Sequence, residues 1–412
     1  MVEPPLLIRD IKQVLEEISH KKEIETINLS QGNPLGPIDS RLKAVLREYL
    51  SEDTEDTEDT EDSEDSESEG YCASKGHPPF LKRLAEYERE HFGNQDANEE
   101  RIIATFDASG GINLLLADVA SRMPTSEVVV MAPHFPPYCA WIKNKGLTPK
   151  VIPFTLDDID LLDDLEQAIG SRTGALILNS PRNPTGIIDS EYFLRGLGAI
   201  LNAEKRRRSD SGSRENQIVV INDQPCRTHI NGGKEMVFAR DHLRYDSVVN
   251  VNSFSKEGRL AGRRLGYLEI PELFPEVNSF VDRLVDSVLG LGFVQAPTPL
   301  QYAIAEVELP LITDWSEHIA SVRNYCSNLR EIGYDVIEPE GGLFVCARVP
   351  EIESHNLHKA LLEVGIGTVD GRAFGFKSED GYVRLSMYDL KQSSHDEVFF
   401  RFERAYEVLR GE

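Results

Sequence analysis

The chain has 412 residues, 40% of them hydrophobic and 28% charged, and a formal net charge of −26. That length exceeds a single small core and predicts two domains, or one large domain with an appendage. Strong acidity is unsuited to gripping a phosphate backbone, so no nucleic-acid partner is expected. No apolar run reaches the roughly 18–20 residues of a membrane span. The cysteines are Cys72, Cys139, Cys226, Cys326 and Cys346, with no Cys-x-x-Cys pair. This pattern argues against a disulfide framework or a metal site and for a reducing compartment. The start, Met1-Val2-Glu3-Pro4-Pro5, lacks the layout of a secretory signal, and a cytoplasmic protein is expected.

Taken in chain order, helical apolar spacing covers residues 8–18 and 42–50. Residues 51–70 then carry twelve acidic side chains and no basic one, and the rest of the chain still sums to −14. With nothing to bury and like charges throughout, this insertion is expected to be disordered. An amphipathic helix is predicted over 80–92, after the turn signal Gly76-His77-Pro78-Pro79. Short strands are predicted over 102–105, 128–131, 150–152, 175–178, 218–221 and 247–251. Helical patterns lie between most of them, for example over 112–120, 160–169 and 191–202. Such alternation predicts an α/β fold with a mainly parallel sheet covered by helices. The basic stretch within 204–216 reads as a polar surface loop. Beyond residue 297 a long helix over 314–332, short strands over 344–347, 368–369 and 382–385, and a last helix over 396–409 predict a smaller α+β domain. The expected division is 40–297 for the large domain and 1–39 plus 298–412 for the small one.

The chemistry centres on Ser253-Phe254-Ser255-Lys256, followed by Gly262 and Arg264. A lysine amine forms a Schiff base with an aldehyde, and the two serines and the arginine suit a phosphate beside it. Aldehyde and phosphate on one small molecule describe pyridoxal 5'-phosphate (PLP). Upstream, Asp107-Ala108-Ser109-Gly110-Gly111 follows a strand and opens a helix, where free N–H groups and the Ser109 hydroxyl favour an anion. Phe135 is either a core ring or a face for a planar cofactor. Asn179-Ser180-Pro181-Arg182-Asn183-Pro184-Thr185-Gly186 is a rigid loop with two asparagines, and an Asn amide can hydrogen-bond a phenolic oxygen. Asp223 ends an apolar strand, either as a cap or as the partner of a pyridinium nitrogen.

In that order and spacing these motifs resemble the class I/II aminotransferases, the aspartate-aminotransferase-like PLP enzymes of fold type I. The likeness runs from Leu29-Ser30-Gln31-Gly32-Asn33-Pro34 to Arg384. It implies a large domain built on a seven-stranded-type sheet and a smaller domain beside it. It further implies that Lys256 holds PLP as a Schiff base and moves the substrate proton. Asp223 would face the ring nitrogen, Asn183 the ring oxygen and Phe135 the ring face. Ala108, Ser109, Ser253, Ser255 and Arg264 would hold the phosphate. Tyr71 would reach the phosphate of a neighbouring subunit, making a homodimer with shared active sites. Arg384 would grip the substrate carboxylate, with Gly32, Asn33 and Asn183 along the same edge. The expected reaction transfers the amino group of an L-amino acid to a 2-oxo acid. The alternative is β- or γ-elimination, replacement or cyclisation on an amino acid, in specialised metabolism.

Two positions depart from the family pattern. Cys226 stands where a tyrosine usually donates to the ring oxygen, and a thiol donates weakly. A Schiff base that keeps its proton to higher pH than in typical relatives is therefore expected. Asp370-Gly371 replaces a frequent Pro-Gly. Side-chain specificity is unmarked: Arg182, Arg227 and Lys75 read as surface charges, and His77 and His134 as structural residues.

Overall fold

The computed structural model describes residues 5–6, 8–32, 34, 36–51, 71–210, 217–312, 314–386 and 395–411. The acidic stretch therefore lies outside the described residues, apart from the backbone of Ser51. The chain enters through a helix, Ile8–Lys22, and a short strand β1 (Ile27–Asn28). Seven strands follow: β2 (Ile102–Thr105), β3 (Glu127–Met131), β4 (Thr148–Ile152), β5 (Thr173–Asn179), β6 (Val219–Asp223), β7 (Val248–Ser253) and β8 (Gly266–Glu269). They form one sheet in the order β2-β8-β7-β6-β5-β3-β4. Neighbours from β7 to β4 pair in parallel, and only β8 runs against its two neighbours.

The central strands are apolar on both sides because helices cover both faces. In β3, Val128 and Val130 point to one layer while Val129 and Met131 point to the other. The first layer contains the helices Ala108–Arg122, Pro137–Asn144 and Val277–Gly290. The second contains Asp158–Ala168 and Glu191–Asp210, and beside them Pro78–Phe92 packs under β2 and β8. Local signals set the helix ends. Asp157 accepts from the N–H groups of Ile159 and Asp160, and Pro78–Phe92 opens on two prolines and closes on left-handed Gly93. Pro149 sits on β4, the edge strand, where a missing N–H costs no ladder bond.

Later strands build smaller sheets. β9 (Asp335–Ile337), β10 (Phe344–Arg348), β12 (Val369–Asp370) and β13 (Val383–Ser386) form an antiparallel sheet, while β11 (Ile366–Gly367) pairs in parallel with β1. The helices Ser316–Ile332, Ser354–Glu363 and His395–Arg410 pack on this part. Beside it the chain continues from β1: Leu29 N–H donates to Gly367 O (2.7 Å) and Ser386 N–H to Leu29 O (2.8 Å).

Three sequence expectations change. The stretch expected as a loop over 204–216 is helical as far as Asp210, with 211–216 outside the described residues. Arg208 draws it inward: this buried side chain meets Glu204 at 3.0 Å and donates to Gly170 O and Thr173 O at 2.7 Å. Residues 298–312, assigned to the smaller domain, pack with the large sheet. Leu300, Ala303, Ile304, Val307, Leu309 and Leu311 share a core with Phe80, Leu84 and Tyr267. The strand β8 and the helix Val277–Gly290 have no counterpart among the predicted elements.

Candidate active site

The parallel strands end at one edge of the large sheet, where such folds place ligands. A cavity of about 550 Å³ opens there, closed on its far side by β10 and β13 of the smaller sheet. Of the residues named from the sequence, Gly32, Ala108, Ser109, Phe135, Asn183, Asp223, Cys226, Ser253, Ser255, Lys256, Arg264 and Arg384 all line it. Asn33 lies outside the described residues, and Tyr71 is not in the wall: it is 87% exposed.

Each strand end delivers part of the site. After β2, Asp107 caps the helix Ala108–Arg122 by accepting from Gly110 N (2.9 Å), and its other carboxylate oxygen pairs with Arg264. The first turn, with Ala108 and Ser109, faces the cavity. Gly266 makes this junction tight: a Cβ there would lie 2.5 Å from Asn252 O and 2.7 Å from Asp107 Cα. β7 ends in Ser253, whose hydroxyl accepts from Ser255 N (3.1 Å) and starts the single helical turn Phe254–Glu257. That turn presents Lys256, whose ammonium donates to Gly32 O. Ser255 Oγ is buried without a hydrogen-bond partner. Beyond β5, Asn179 Oδ1 accepts from Asn183 N (2.7 Å) and its amide donates to Asp223 O (2.9 Å), tying the two loops together.

Burial sets the charges. Asp223 is pushed up to about 7 by removal from water, opposed by a hydrogen bond from Tyr138 to its Oδ2. Its Oδ1 is buried with no partner. Lys256 is held below its ordinary value, chiefly by burial and with Arg384 adding repulsion, while Cys226 opposes the shift. The Cys226 thiol is pushed up to about 11 by burial and stays protonated near neutral pH. Arg384 projects from β13, its guanidinium 4.1 Å from the Phe344 ring centroid and 4.8 Å from that of Phe374. It donates to Ser30 O and, at 3.4 Å, to Asn183 Oδ1. Among the described residues no carboxylate is within ion-pair distance of it, and burial lowers its pKa. A buried cation in that condition calls for an anion from outside.

The cationic side chains considered for specificity do not meet in this cavity. Arg227 is no surface charge: its side chain is 1% exposed, and its guanidinium reaches Glu88 (2.8 Å), Tyr267 (2.8 Å) and, at 3.8 Å, Glu257. Arg182 is bound to buried Asp189 at 2.7 Å. Lys75 is half-buried in another cavity with Glu100, Asp282 and Asp286. His77 stacks on Tyr302 and His134 contacts Cys139, both away from the wall. Sequence reading missed Ile8, Arg9, Trp141 and Phe344 in the wall, and Tyr138 behind it. Only the Pro136-Pro137 helix start gave any local hint of the two aromatic residues on that helix.

One edge of a mainly parallel α/β sheet thus brings together a lysine, an aspartate with one partnerless oxygen, a helix start beside serine hydroxyls, and an arginine without a carboxylate partner among the described residues. The family pattern "Aminotransferase class I and II" matches residues 24–207 and 224–399, and the chain belongs to that family of transferases. Its members are PLP enzymes. A (5-formylfuran-3-yl)methyl phosphate transaminase of Methanocaldococcus jannaschii is 24% identical over 82% of this chain and 83% of the relative. An aspartate aminotransferase of Sulfurisphaera tokodaii is 23% identical over 97% and 94%. Among solved structures, an amino transferase from Eubacterium rectale superposes with a TM-score of 0.85 at 22% identity, covering 98% of this chain and 96% of that one.

Proposed function

We propose that this aminotransferase moves the amino group of an L-amino acid to a 2-oxo acid, using PLP held at Lys256. The residues present fit that coenzyme. A buried, partnerless Asp223 Oδ1 suits a pyridinium, and the Ala108–Ser109 helix start with Ser253, Ser255 and Arg264 suits a phosphate. Asn183 and Cys226 would face the ring oxygen, Phe135 the ring face, and Lys256 would hold the aldehyde carbon. When bound, the coenzyme supplies an electron sink for charge left on the substrate Cα.

The chain's own groups do the rest. Arg384, fixed between two aromatic rings, takes the substrate carboxylate and orients Cα. Lys256, whose pKa burial lowers, is placed to take the Cα proton as a base and return it as an acid. Gly32 O accepts from Lys256, and this carbonyl bounds the amine's swing. The Cys226 thiol is a weak donor, which supports a lysine–coenzyme linkage that keeps its proton to higher pH than in relatives with tyrosine. The relatives above are all transaminases, which favours amino transfer over elimination. The unlike substrates in their names leave the side chain to be found by assay.

The same reading includes a large domain and a small one closing the cavity, with the boundary near residue 312 rather than 297. It includes a homodimer in which exposed Tyr71 reaches the partner's phosphate site. Five unpaired cysteines support a reducing, cytoplasmic setting, and no helix among the described residues is long and apolar enough to cross a membrane. The observation that carries the proposal is the convergence of Lys256, Asp223 and Arg384 on one cavity. Borohydride reduction of the PLP-loaded protein should fix a pyridoxyl group on Lys256, and amino acids should yield 2-oxo acids. Lys256→Ala should lose the adduct and more than about a thousandfold in activity. Labelling elsewhere, or ammonia release without a 2-oxo acid acceptor being used, would refute the assignment.

A further inference from the structure

We propose that Tyr138 is the positioning residue for the coenzyme-facing carboxylate. Its hydroxyl holds Asp223 Oδ2 and leaves Oδ1 as the acceptor presented to the cavity, while its ring edge sets the neighbouring Phe135. The inference rests on the PLP reading above but concerns a side chain that does not line the cavity.

Asp223 is the last residue of β6, where the ladder no longer constrains its side chain. A carboxylate has two equivalent oxygens, and rotation about its last bond exchanges them unless one is held. Here one oxygen accepts from Tyr138, and the other is buried without a partner. Tyr138 is itself buried at 1% exposure in the first turn of the helix Pro137–Asn144. That helix packs on the same layer as the apolar residues of β6. Its backbone N–H donates to Phe135 O (3.1 Å), and its ring meets Phe135 edge-on, with centroids 5.6 Å apart and planes at 82°. Trp141 supports both rings, at 6.0 Å from Tyr138 and 5.9 Å from Phe135. Burial and the adjacent carboxylate keep the phenol protonated, so it has a proton to donate to Asp223. One side chain thus fixes two groups that would bracket the ring from its edge and its face.

The test uses Tyr138→Phe, which keeps the ring contacts and removes the hydroxyl, with PLP as the titrated ligand. The dissociation constant of PLP for the apoprotein should rise about ten- to a hundredfold, as for a lost hydrogen bond to a charged group. The rise in melting temperature on adding PLP should shrink accordingly. That difference is read against each variant's own apoprotein, so a general loss of stability does not imitate it. In an Asp223→Asn background the same substitution should change PLP affinity by less than about threefold, because coupled residues do not add. Unchanged affinity in Tyr138→Phe overturns the inference, and so does an equal loss with and without Asp223→Asn. Wild-type protein that fails to bind PLP would instead sink the coenzyme reading, and this one with it.

Discussion

Two regions beside the ends of β6 and β7 both bury charge, with opposite outcomes. In one, Arg227 sits among Glu88, Glu257, Tyr87 and Tyr267, with Phe92 3.6 Å from its guanidinium carbon. Asn252 and Gln224 extend this web toward Asn222 and Asn250. On the cavity side Arg384 has no carboxylate among the described residues, and Asp223 Oδ1 and Ser255 Oγ have no hydrogen-bond partner, while Nε lacks one in both arginines. Both environments are low in water, so both charges are costly if left alone. Where partners come from the chain, the cluster is scaffold. Where the chain supplies none, the charged groups line the cavity. The ion-paired cluster also lies next in sequence to the cavity residues, since Arg227 follows Cys226 and Glu257 follows Lys256.

This contrast can be broken by substitution. The largest effect is expected at Arg227→Met, which strands two buried carboxylates and should cost about 3–5 kcal/mol in urea unfolding. Arg384→Leu should instead leave apoprotein stability level or raised, while kcat/KM falls about a hundredfold or more through lost charge-assisted hydrogen bonds to the substrate carboxylate. If Arg384→Leu destabilised as Arg227→Met does, the distinction between scaffold and open site would fail.

A pH series sharpens the same point. The folded pKa of Asp223, about 7, lies above the ordinary aspartate value of 3.8. The folded state therefore keeps a proton that the unfolded chain gives up, and stability from this group declines as pH rises from about 4 to 7. Apoprotein carrying Asp223→Asn should gain on wild type between pH 5.5 and about 7, at about 1.4 kcal/mol per pH unit and so by about 2 kcal/mol, and the gap should level off above that. A constant gap would mean that Asp223 is ionised throughout. The smallest effect is expected at the surface, where the exposed pair Arg195–Glu191 at 2.8 Å should contribute less than about 0.5 kcal/mol by Glu191→Gln unfolding.

Much of the candidate site was legible in the sequence, because the residues that share the cavity sit in short motifs whose local chemistry is unusual. Asn183 in a proline-locked loop, Asp223 ending an apolar strand and Lys256 between two hydroxyls each carry their signal within about eight residues. The alternation of apolar strands with amphipathic helices likewise announced a parallel sheet. Misreadings arose where the signal is long-range. Arg227 and Arg208 read as surface charges because arginine usually is one, and nothing beside them in sequence marks Glu88 or the Gly170 and Thr173 carbonyls. Tyr138 lies 85 residues before the carboxylate it holds.

The sequence alone thus marked the candidate residues of this protein, Lys256, Asp223 and the serines and arginine near that lysine, and the α/β alternation that carries them. Tertiary structure decided which charges are spent inside the fold and which stay open. Desolvation and hydrogen-bond saturation depend on neighbours brought together across the chain, and local spacing holds no record of them.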